Sequence, residues 1–68
     1  MNTETLRHAT ARTIAAGFLA ATEGRHDQAR AHADGALLGL VNLSAQGVQV
    51  RGLVERVARL DERLTDQG

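Results

Sequence analysis

The chain has 68 residues, eight arginines against eight acidic residues, and a formal net charge of zero. It contains no cysteine, proline, tryptophan or tyrosine and a single phenylalanine. This excludes a disulfide framework, a cysteine-based zinc site and an overall field that would draw the protein to nucleic acid or to an acidic surface.

A single domain of this length buries only about 60% of the surface that its unfolded chain exposes. Small folds without staples commonly complete their cores by association. Every cation is arginine, and with abundant alanine and glycine this reads as a GC-rich coding sequence of bacterial or phage origin. The segment MNTETLRHAT lacks the basic and apolar regions of a signal peptide, so a cytoplasmic location is expected.

Alanine, leucine, arginine, glutamate and glutamine dominate, and all favour helix. The expected fold is all-α: a helical hairpin followed by a long C-terminal helix, one domain over residues 1–68, its core completed in a helical-bundle homodimer. The first helix is predicted over Thr3 to Glu23. Asn2 or Thr3 serves as N-cap, Glu4 lies in the first turn, and Gly24 provides the stop. Leu6, Thr10, Ile14, Phe18 and Ala21 form its apolar stripe.

The second helix is predicted from His26 to Val41, burying Ala29, Ala33, Ala36, Leu37 and Leu40. Arg30 and Asp34 stand four apart and can pair on its outer face. Gly35 and Gly39 each cost a helix about 1 kcal/mol relative to alanine. They fit either a close approach of another backbone or simple tolerance of glycine.

From Gly35 to Val50 sixteen consecutive residues carry no charge. Ala36, Leu37, Leu38, Leu40, Val41 and Leu43 fall on nearly every side of a helix, the pattern of a buried segment. Asn42, Ser44, Gln46 and Gln49 interrupt the run, and a membrane span needs about 20 predominantly apolar residues. A turn is therefore expected at Asn42-Leu43-Ser44, with Ser44 as N-cap of a third helix reaching Thr65. A single kinked helix over both segments is the alternative. Gln67 and Gly68 are expected to fray.

Val50, Leu53, Val57, Leu60 and Leu64 are spaced 3, 4, 3 and 4, the a/d repeat of a coiled coil. Valine at a with leucine at d favours two parallel strands, and Arg56 at g can then pair with Asp61 at e of a partner. Glu55 and Arg59 can pair within the helix. The stripe equally suits packing onto the first two helices of its own chain, since about two heptads fall short of the three to four that define a coiled coil. A shared bundle satisfies both readings. Leu37, Leu38, Leu40, Val41 and Leu43 are expected as core or as a second contact.

Residues 16–37, AGFLAATEGRHDQARAHADGAL, resemble part of one tetratricopeptide repeat. Small residues at Ala16, Gly17 and Ala20, Gly24 at the turn, and Ala29, Ala33 and Ala36 carry the likeness. The large early aromatic and the closing proline are missing, the latter replaced by Val41. The resemblance implies a closely packed helical hairpin. It implies no peptide-binding residues, and such arrays need about three units for stability.

No catalytic constellation emerges. His26 and His32 are six apart and diverge on a helix, unlike a zinc-protease pair, and His8 is remote. Asp61 and Glu62 are adjacent and diverge. No glycine pattern cradles a phosphate. No cofactor or metal is expected. The reading is a non-enzymatic protein-association module (adaptor, inhibitor or assembly subunit) acting as a homodimer with a further protein partner and no membrane contact. The alternatives are a dimeric DNA-binding regulator using Arg51, Arg56, Arg59 and Arg63, and a non-catalytic subunit of an enzyme complex.

Overall fold

A computed structural model describes residues 2–67, with nothing stated of the Gln67 side chain. The described residues form three helices: α1 (Thr3–Thr22), α2 (His26–Ala45) and α3 (Arg51–Gln67), with no strand among them. The fraying expected at Gly68 lies outside the described residues.

The start of α1 follows from Asn2, which holds extended backbone (φ −77°, ψ 163°) while its side chain accepts a 2.8 Å hydrogen bond from the Thr5 amide. One of the four amides that a helix leaves unsatisfied is thereby capped. Glu4 in the first turn complements the helix dipole. The threonine hydroxyls at positions 10, 13 and 22 donate back to carbonyls four residues earlier, so these β-branched polar residues sit inside a helix without orphaned groups.

Both helix stops rest on glycine in the left-handed region, Gly24 and Gly47 each at φ 80°. At the first, the Gly24 amide donates to Ala21 (3.1 Å) and the Arg25 amide to Ala20 (2.8 Å). At the second, Gly47 donates to Ser44 (3.0 Å) and Val48 to Leu43 (3.0 Å). These are paired Schellman closures, which return the last carbonyls of a helix to the following turn.

The second closure corrects the sequence reading. The turn expected at Asn42-Leu43-Ser44 is helical, and α2 continues to Ala45. Asn42 stays in the helix because its side-chain amide donates to the Leu38 carbonyl at 3.2 Å. Ser44 is therefore not the N-cap of α3. The chain turns at Gly47, passes through Val48 and Gln49, and enters α3 after Val50, whose carbonyl accepts from the Val54 amide at 2.9 Å.

The core lies along the line where the three helices meet, in two adjoining clusters. Ala20, Ala21, Ala29 and Ala33 pack with Leu60 and Leu64, while Ile14, Ala36 and Leu40 pack with Val57. Phe18 is half-buried against both clusters and joins them. The most extensive contact is between α1 and α2. Glycine makes room for side chains where the helices meet: a Cβ on Gly17 of α1 would stand 2.6 Å from Leu60 Cδ2 of α3, and one on Gly39 of α2 2.4 Å from Thr10 Oγ1 of α1. Leu43 is fully buried, whereas Leu37, expected in the core, is exposed.

Candidate interaction surface

The a/d stripe of α3 lies against its own chain. Val57, Leu60 and Leu64 are buried, and Val50 and Leu53 are half-buried beside the Ile14–Leu40 cluster. Helices α1 and α2 thus occupy the face that a partner helix would take in a parallel coiled coil. Arg56 and Asp61, placed at the edges of that seam, are exposed. The second group of expected residues divides: Leu40 and Leu43 are core, and Leu37, Leu38 and Val41 face outward.

Those three are among the large apolar side chains left exposed, with Leu19 of α1 a further one. Leu38 is 69% exposed, Val41 66% and Leu37 44%, and Val54 of α3 joins them at 46%. Helical geometry explains why they share a side. Ala29, Ala33, Ala36, Leu40 and Leu43 turn inward at steps of three and four, so Leu38, Val41 and Ala45 point the other way. Between α2 and α3 runs an apolar groove of about 480 Å³. Its α2 wall is Leu37, Leu40, Val41, Ser44 and Ala45, and its α3 wall is Val50 and Val54. No charged side chain lines it.

Charges lie at its margins. Asp34 precedes the apolar positions on α2, and Arg51 follows Val50 at the start of α3; both are exposed. Neither has an ion-pair partner within 4 Å among the described residues, nor do Arg30, Glu55 or Arg59, so the helical pairs expected for these charges do not form. The contacts that do form are His8 with Glu4 at 3.8 Å and Arg25 with Glu23, both on the surface. Arg63 donates to the Thr22 hydroxyl at 3.1 Å and ties α3 to α1.

The histidines are dispersed: His8 and His26 are exposed, and His32 is half-buried beside Gly17. Among the described residues no three histidine, aspartate or glutamate side chains gather in a metal-binding group. No described helix is long and apolar enough to cross a membrane.

Sequence reasoning found Leu37, Leu38 and Val41 but not Val54. The informative signal was the inward series from Ala29 to Leu43. Once α2 is extended past Val41, that series closes the core face without Leu38 or Val41. Comparison with protein-family models, curated proteins and solved structures returns no match.

Proposed function

We propose that the protein is a non-enzymatic association module that works as a homodimer, with the α2–α3 groove as its contact face. The observation that carries this reading is the cluster of Leu37, Leu38, Val41 and Val54, largely exposed around a groove without charge. An interface core is depleted in charge and rich in large apolar side chains. Burial removes Ile14, Val57, Thr10, five alanines and four leucines from water and leaves this surplus outside.

The magnitude indicates a weak complex. Fully burying a leucine or valine contributes about 1.5–3 kcal/mol, and these four are half to two-thirds exposed, so covering them contributes about 1 kcal/mol or a little more each. Association costs at least about 4 kcal/mol in lost freedom. Counted over both copies of a dimer, the surplus corresponds to a dissociation constant on the order of ten micromolar to a millimolar. Sedimentation equilibrium across that range tests the reading: the mass should rise from 7.2 kDa towards twice that value. A mass that stays at the monomer value throughout removes it.

A second reading, contact with nucleic acid, has one observation in its favour. Arg56 and Arg63 are seven apart, so they share the side of α3 that faces Thr22 of α1. Arg59 is flanked by Glu55 and Glu62, which dilute the patch. Salt-dependent retention on DNA would support this reading, and no retention at low salt would end it, because such affinity depends on phosphate neutralisation.

A further inference from the structure

We propose that the occupant of the groove face is a second copy of this chain, docked with its α2 antiparallel to the first. The twofold axis then passes between Leu38 and Val41. The inference rests on the self-association reading above and adds the arrangement. An isologous contact uses the same patch twice and must be complementary to itself. The outer face of α2 meets that condition in one direction only. Asp34 stands at one end of the apolar positions and Arg51 at the other, with no charge between them on the groove.

An antiparallel copy sets Leu38 against Val41 of the second copy. The same register sets Asp34 against Ala45 of the second copy. Ala45 and Val50 line the same groove, and Arg51 follows Val50, so each Asp34 arrives beside an arginine that has no ion-pair partner within its own chain among the described residues. A parallel copy would set Asp34 on Asp34 and Arg51 on Arg51, which repel. The patch has no charge of its own and the chain has no net charge, so nothing on this face selects an oppositely charged foreign partner.

The absence of native cysteine makes the register directly readable. Single variants Asp34→Cys and Ala45→Cys, one carrying a mass tag, are checked for unchanged helicity, then mixed and treated with a short thiol cross-linker. The mixture is expected to give the mixed dimer, and each variant alone little product. Charge reversal supplies an independent reading. Asp34→Arg and Arg51→Asp should each weaken the wild-type dimer about two- to tenfold, as exposed pairs do, and the double variant should recover it.

Product from each cysteine variant alone, with none favoured in the mixture, means parallel helices and overturns the arrangement. Absence of cross-linking in a chain that still sediments as a dimer places the contact on another face: the arrangement falls while self-association stands. A wild-type chain that remains monomeric removes both.

Discussion

Thr10 is the one buried polar side chain among the described residues, and it packs against Gly39 of α2. Its hydroxyl donates to the Leu6 carbonyl at 2.8 Å, and a β-branched side chain has few alternative rotamers. Gly39→Ala would bring a methyl to 2.4 Å of that hydroxyl. Overpacking of this kind costs about 1–3 kcal/mol, and the helix-propensity gain of about 1 kcal/mol offsets part of it. Urea denaturation should therefore show a net loss for Gly39→Ala, relieved when Thr10→Ala is added. Gly35→Ala, whose new methyl would meet only Thr13 Cγ2 at 3.9 Å, should gain up to about 1 kcal/mol. Equal effects at the two glycines would contradict the packing described. The neighbour at Gly39 is the Thr10 side chain rather than another backbone, while the open surroundings of Gly35 fit simple tolerance. Sequence spacing could not separate them, because they differ only in what α1 places opposite.

At the scale of elements, the two stops were unequally legible. Gly24 follows a long amphipathic stripe and precedes a polar run, so its role was readable. Gly47 was hidden by Asn42 and Ser44, whose turn preference is overridden once their side chains bond within or face away from the helix. The left-handed backbone at Gly47 has no steric neighbour within 4 Å, so its cost on substitution is conformational alone. Gly47→Ala should lower the melting stability by about 1–2 kcal/mol without altering the core, as judged by chemical denaturation; a neutral result would mean that the α2–α3 turn is set elsewhere. The heptad of α3 was legible as a stripe but silent about its partner. Periodicity reports that a face is buried, not against which chain. Leu60, fully buried, should cost about 2–5 kcal/mol when cut to alanine. The loss should appear in the isolated monomer at high dilution, where a residue serving only a seam would show none.

For the whole molecule, the accessible surface is 4456 Å², compared with about 4100 Å² expected of a globular chain of this mass. The radius of gyration is 11.7 Å, compared with about 11 Å. The 34 × 17 × 14 Å shape is that of three helices laid side by side. Three helices lined with alanine make a thin core, and larger residues remain outside it, Leu19 on α1 and the rest on α2 and α3. The uncharged segment from Gly35 to Val50 thus divides between two destinations. Ala36, Leu40 and Leu43 close the fold, and Leu37, Leu38 and Val41 stay exposed.

Sedimentation equilibrium of the wild type beside the Leu38→Glu, Val41→Glu double variant, from about 10 µM upward, tests this division most directly. The account predicts a concentration-dependent dimer for the wild type, and for the variant a monomer of 7.2 kDa with undiminished helicity. A variant that still dimerises as the wild type does, or a wild type that never exceeds the monomer mass, would contradict it.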